Sequence, residues 1–202
     1  MSTYKTLHEY GMDEIIIEKS TFIGYAKPIK TEEEAVEFIN EIKKKHKDAT
    51  HNVWAYTVGP TMNIQRYSDD GEPQGTAGIP TLEVIKKEDL RDVVVVVTRY
   101  FGGILLGTGG LVKAYSSACT LGLKKACIIE KNIADLYKIE INYTDIDKFK
   151  YFAKSNNIII LKEEYLENVI LEIAIKEQNV SKNISQKDII VKKIEFIKKI
   201  YV

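Results

Sequence analysis

The apolar positions along the chain change period several times, and each change predicts an element. Asp13–Glu18 and Thr21–Ile29 are rich in β-forming residues and are separated by Lys19-Ser20, which predicts a hairpin. Thr31 stands three residues before Glu34, the spacing of a capping box, and acids crowd the turn that follows. Ala35, Phe38, Ile39 and Ile42 then recur at helical spacing, and basic residues close the segment at Lys43–Lys47. A helix is expected from Glu32 to His46. Asn52–Val58 predicts a strand, ended by Gly59-Pro60. Residues 68–80, SDDGEPQGTAGIP, hold three glycines and two prolines and read as a long loop without helix or strand. A short helix is expected at Thr81–Lys87. Asp92–Arg99 predicts a strand whose five consecutive valines are apolar on both faces, as in a central strand covered from both sides. A second glycine-rich turn, FGGILLGTGG, leads into a helix expected over Leu111–Cys127, with Leu111, Ala114, Tyr115, Ala118, Leu121 and Leu123 as core positions.

The character of the chain changes near Lys131. All 12 glycines lie at or before Gly122, and the last 80 residues contain neither glycine nor proline. Here the pattern predicts a strand at Leu136–Tyr143, an amphipathic helix at Asp145–Ser155, and strands at Ile158–Leu166 and Val169–Ile175 around a Glu167-Asn168 turn. A weaker helix at Val180–Ser185 and a long strand at Asp188–Tyr201, bent or overhanging, complete the order β-α-β-β-α-β, that of a ferredoxin-like domain. The expectation is an α+β protein of two domains, 1–130 and 131–202.

Composition narrows the function. With 45% hydrophobic and 29% charged residues among 202, the chain is of ordinary globular composition and not disordered. Its longest wholly apolar run is the five valines, far short of the roughly 20 residues of a membrane span. The N-terminus has no secretory pattern, so a cytoplasmic protein without membrane contact is expected. Lys+Arg and Asp+Glu are both 29, so any polyanion site must be a local patch and not a long-range basic field. Cys119 and Cys127 are too few for a disulfide scaffold and read as buried helical thiols of a reduced protein.

Two segments concentrate chemistry. Asp69, Asp70 and Glu72 place three carboxylates in four positions. Such groups can serve as acid and base or share a metal, and the same residues also build a turn through side-chain oxygens, a positive-φ glycine and a fixed proline. The second segment runs from Arg99 through Tyr100, Phe101, Gly102 and Gly103 to Gly107, Gly109 and Gly110. A glycine turn entering a helix presents free N–H groups to an anion. It lacks the lysine of a Walker loop and the spacing of a dinucleotide fingerprint, and the glycines equally permit close helix packing. Arg99 is placed to pair with the acidic loop or to grip a phosphate. His51, at the entry to a strand, is a candidate general base or a structural residue, and Lys113 is a candidate phosphate contact. No second histidine stands at zinc-ligand spacing, and no metal or cofactor is expected.

Taken together, His51 after Asp48-Ala49-Thr50, the SDDGEPQGTAGIP block and VVVVVTRYFGGILLGTGGLVKAY at 93–115 resemble the YigZ/IMPACT family, over about a hundred residues from Phe22 to Tyr115. The resemblance implies an N-terminal IMPACT domain similar to domain IV of elongation factor G and to ribosomal-protein domains, with a left-handed βαβ crossover. It implies a C-terminal ferredoxin-like domain similar to domain V of that factor. The resemblance implies eukaryotic relatives that act in translation control through an additional N-terminal domain, which is not expected here. Many relatives carry a cysteine two residues after the histidine, where this chain has Val53.

Two functions are therefore expected to compete. In the first, the chain is an RNA- or ribosome-associated binding protein in translation regulation. Arg99, Lys113 and the Gly107–Gly110 amides contact phosphates, Tyr67, Tyr100 and Phe101 stack on bases, and the acidic loop orders Arg99. In the second, the chain is an enzyme on a nucleotide or phosphorylated small molecule, with Asp69 or Asp70 holding Mg²⁺ and His51 as base. A blander third reading is a scaffold whose polar loops fold back on each other, with a protein partner at a sheet face of the second domain.

Overall fold

The computed structural model describes residues 3–59, 61–176 and 191–202. The chain divides into two compact units, Tyr4–Glu130 and a second made of Thr3 with the residues from Lys131 onward. Among the described residues, no helix is long and apolar enough to cross a membrane.

In the first unit, β1 (Thr3–Leu7) is bridged to Leu90 at Lys5. β2 (Gly11–Ile17) and β3 (Ser20–Pro28) form the expected hairpin. Its two-residue turn, Glu18-Lys19, takes positive φ at both positions, the twist-matched geometry usually supplied by Asn-Gly. Helix α1 (Glu32–Lys45) starts where Thr31 accepts the Glu34 N–H and carries three glutamates in its first turn. It is followed by β4 (His51–Val58), β5 (Ile64–Ser68), α2 (Gly78–Lys87), β6 (Val93–Tyr100) and α3 (Gly107–Lys125). The sheet order is β2-β3-β6-β4-β5, and every neighbouring pair is antiparallel.

The valine run is the middle of this sheet, and all five residues are fully buried. Val93, Val95 and Val97 pack into a core with Leu82 and Ile85 of α2 and Leu111, Ala114 and Ala118 of α3. Val94 and Val96 point the other way, against Ala35, Phe38, Ile39 and Ile42 of α1. A strand apolar on both faces is thus a strand with helices on both faces. Helix α3 lies directly on the hairpin: a Cβ at Gly24 would fall 2.0 Å from the Ala118 carbonyl oxygen.

Three expectations change. The loop of residues 68–80 is shorter than its composition suggests, because α2 begins at Gly78; Pro80 falls in its first turn, where no intrahelical N–H is required. Likewise α3 begins at Gly107, so Gly107, Gly109 and Gly110 belong to the helix's first turn. Cys127 lies beyond α3 at positive φ and is exposed, whereas Cys119 is buried. The short strands β1 and β5 carry no alternation long enough to announce them.

The second unit contains β7 (Ile128–Ile141 along the chain), a 3-10 turn at Tyr143–Asp145, α4 (Ile146–Ser155), β8 (Ile159–Tyr165), β9 (Val169–Ile175) and β10 (Val191–Tyr201). The antiparallel order β10-β7-β9-β8 puts fourth beside first beside third beside second, the ferredoxin-like arrangement. Phe149, Phe152 and Ala153 of α4 cover a face formed by Ile139, Ile141, Leu171 and Ile173. β10 carries two register irregularities, as the length of its pattern suggested. The helix expected at 180–185 lies outside the described residues.

Candidate functional site

The three acids of the loop have three different tasks. Asp69 accepts backbone N–H groups from Gly75 at 2.9 Å, Ala77 at 3.1 Å and Gly78 at 2.7 Å. It caps the start of α2, whose own N-cap, Ala77, has no side chain to do so. Asp70, at positive φ, binds Lys43 Nζ at 2.6 Å through one carboxylate oxygen and the Asn52 N–H at 2.7 Å through the other. Its carbonyl faces His51 Nδ1 at 2.8 Å. Glu72 is buried, and one oxygen accepts both Arg99 Nη1 at 2.6 Å and the Tyr115 hydroxyl at 2.7 Å. Among the described residues no group of three or more His, Cys, Asp and Glu side chains is placed to hold a metal ion. The Mg²⁺ role expected of Asp69 or Asp70 finds both carboxylates already bonded.

His51, Glu72 and Arg99 line one cleft of about 420 Å³, within the usual size range of small-ligand sites. Pro73, Phe101, Leu105, Leu106 and Leu111 form its apolar wall, and Gly107 and Thr108 bring the N-terminus of α3 to its edge. The pairing register sets His51 of β4 directly opposite Arg99 of β6. With Nδ1–H donating to the Asp70 carbonyl, the other ring nitrogen stands 3.9 Å from Glu72. The Arg99 side chain is 6% exposed, its guanidinium lies 5.3 Å from the ring centres of both Phe22 and Phe101, and its buried Nε has no hydrogen-bond partner. Burial and the bond to Glu72 raise the Tyr115 hydroxyl far above its ordinary pKa, so it remains a donor. Helix α3 has neither a capping side chain nor an acid in its first turn. The cleft therefore combines a buried arginine, uncapped helix N–H groups and an exposed aromatic ring.

The remaining candidates lie elsewhere. Side chains alternate along a strand, so Tyr100 points to the α1 face, where its hydroxyl meets His46 Nδ1 at 2.8 Å and Asp48 at 3.3 Å. Tyr25, whose hydroxyl is pushed up to about 12 chiefly by burial, donates to His46 Nε2 at 2.6 Å. Gly102 packs against the Lys19 backbone and its N–H binds Ser20. Gly103 takes positive φ. Gly109 has open space around it, and Gly110 meets the Leu106 side chain. Lys113 is exposed on α3 and Tyr67 on β5. Tyr115, read from its spacing as a core residue, proves to be a polar partner of Glu72. Spacing gives its buried face but not what its hydroxyl reaches.

Comparison with known proteins agrees with this architecture. The sequence profile of the Impact N-terminal domain matches residues 18–123, and that of a domain of unknown function, DUF1949, matches residues 139–195. The chain is 43% identical over 178 residues to the IMPACT family member YvyE of Bacillus subtilis, covering 88% of this chain and 82% of that protein. It belongs to the IMPACT family. The IMPACT family member YigZ of Escherichia coli is 33% identical over 82% of each chain. Protein IMPACT of Xenopus laevis is 38% identical over 94 residues, covering 44% of this chain and 30% of that protein. A solved structure described as a hypothetical protein superimposes with a TM-score of 0.65 at 28% identity, over 98% of both chains. This IMPACT-family chain thus has a two-domain α+β fold, similar over 98% of its length to that solved structure.

Proposed function

We propose that this IMPACT-family chain is an RNA-associated binding protein acting in translation, and that the cleft of its first unit holds a phosphate-bearing ligand. The observation that carries the reading is Arg99: a buried guanidinium lining a cleft, with a free Nε, beside the uncapped start of α3. Helix N–H groups and an arginine favour phosphate oxygens. Phe101, 45% exposed and already over the guanidinium, offers a face on which a base can stack. The tie to translation rests on family membership.

The test is binding of a short single-stranded RNA at two salt concentrations, with Phe101→Ala and Lys113→Ala as folded surface variants. Salt-weakened binding that Phe101→Ala reduces further supports the reading. Absence of binding by folded protein rejects it.

A second reading, an enzyme acting on a phosphorylated small molecule, is favoured by one observation. The Asp70 carbonyl orients His51 through Nδ1, so that its second ring nitrogen stands 3.9 Å from Glu72 at the cleft, where a general base would act. Turnover of nucleotides that vanishes in His51→Gln distinguishes it from binding alone.

A further inference from the structure

We infer that the cleft recognises a terminal phosphate monoester joined to a planar ring, a nucleotide 5′ end, and not a phosphodiester backbone running past it. This rests on the phosphate-binding reading above and makes it more specific. The polar groups lie at the bottom of the cleft, where the Arg99 and Glu72 side chains are only 6% and 3% exposed. A backbone lying along a surface keeps its phosphodiesters at solvent level, whereas a terminal group can enter end-on. The wall above these groups is apolar, built by Pro73, Phe101, Leu105 and Leu106. Among the described residues, no lysine lines the cleft to follow a second phosphate. Leu105, which lines the cleft, is 86% exposed, an apolar surface that a ring standing on Phe101 would cover.

The charges fit one dianionic group. Glu72 is neutralised by Arg99 at 2.6 Å, so the pair presents little net field. What remains for the ligand is the partial positive charge of α3, concentrated in its first turn, and the edge of Arg99 that lines the cleft, a guanidinium whose hydrogen bonding is incomplete at Nε. That is a site for one phosphate head and its attached ring. The same chemistry is offered by a free nucleoside monophosphate and by the 5′ end of an RNA.

The experiment measures four probes on the whole chain: a 5′-phosphorylated oligoribonucleotide, its 5′-hydroxyl twin, a nucleoside monophosphate and inorganic phosphate. Thr108→Glu is the key variant. It puts a carboxylate in the first turn of α3, which favours the helix while repelling an anion, so lost binding is not lost folding. The expected result is a preference of about tenfold or more for the phosphorylated end, abolished by Thr108→Glu and weakened by Phe101→Ala. Equal binding of the two oligonucleotides overturns the inference and leaves the RNA reading standing. Binding of the monophosphate alone keeps the terminal-phosphate chemistry and rejects RNA as its source. No binding of any probe by folded protein rejects both.

Discussion

Replacing Glu72 by alanine tests whether the buried Arg99 ion pair is a stabilising core of the site. The substitution removes the acceptor of Arg99 Nη1 at 2.6 Å and of the Tyr115 hydroxyl at 2.7 Å. It leaves a cation whose side chain is 6% exposed without a counter-charge. Stranding one member of a buried pair costs about 3–5 kcal/mol. The unpaired hydroxyl does not add its full cost of about 1–3 kcal/mol, because both donors use the same oxygen and relax together. For a domain of this size the loss corresponds to a fall in melting temperature of roughly 10–20 °C. Trp54 is the single tryptophan of the chain and sits on β4, so its fluorescence reports unfolding of this unit. A melting temperature within about 3 °C of the parent protein would refute the reasoning. Glu72→Leu combined with Arg99→Met and Tyr115→Phe removes the charges and the hydroxyl together, and should regain most of the loss.

Three further outcomes follow from the geometry. Burial, and then the Lys45 charge, hold His46 below its ordinary value of 6.5, so the unfolded chain takes up a proton first as pH falls. Stability is full above that value and declines below it; the urea midpoint should drop between about pH 8 and pH 5.5, and drop less in His46→Gln. Burial pushes the Cys119 thiol far up while Cys127 is exposed, so native protein should react with one equivalent of a thiol reagent, and Cys127→Ser should abolish the reaction. Gly24→Ala forces a methyl to 2.0 Å from the Ala118 carbonyl and should lower the unfolding free energy by about 1–3 kcal/mol, whereas Gly109→Ala, in open space, should be neutral or stabilising.

Where the sequence carried a long, regular pattern, the fold was legible. The five valines announced a strand covered on both faces, and Thr31 with its three following glutamates announced the start of α1 within a residue. The misreadings came from glycine and proline, which mark turns only on average. Pro80 and Gly107 both lie in first turns of helices, where proline's missing N–H is tolerated; Gly107 takes its positive φ because it has no Cβ. Of the candidate residues, His51, Glu72, Arg99, Phe101 and Gly107 line one cleft and the others do not, a division that spacing did not give. Arg99, Tyr100 and Phe101 are consecutive, yet strand alternation sends Tyr100 to the opposite face and leaves Arg99 and Phe101 on the side of the cleft. The acids were equally divided by geometry: three adjacent carboxylates became a helix cap, a lysine partner and a buried arginine partner. Nothing in their spacing ranks Glu72 above the two aspartates.

The balanced charge of the chain leads to a quantitative contrast in salt dependence. With 29 basic and 29 acidic residues there is no long-range field to draw a polyanion, and the cleft's one buried cation is already paired. A protein that tracks single-stranded RNA by several phosphate contacts loses affinity with a logarithmic salt slope of about −0.7 for each phosphate neutralised. A site that takes one terminal phosphate at a helix start should therefore show a slope near −1 or shallower, because that single group is the only charge it engages. Measured with the 5′-phosphorylated oligonucleotide between about 50 mM and 200 mM salt, a slope near −1 costs about fourfold in affinity, against about sixtyfold for a slope of −3. A slope of about −3 or steeper would mean that exposed lysines such as Lys113 engage a run of phosphates outside the cleft, and the end-recognition geometry would then be wrong.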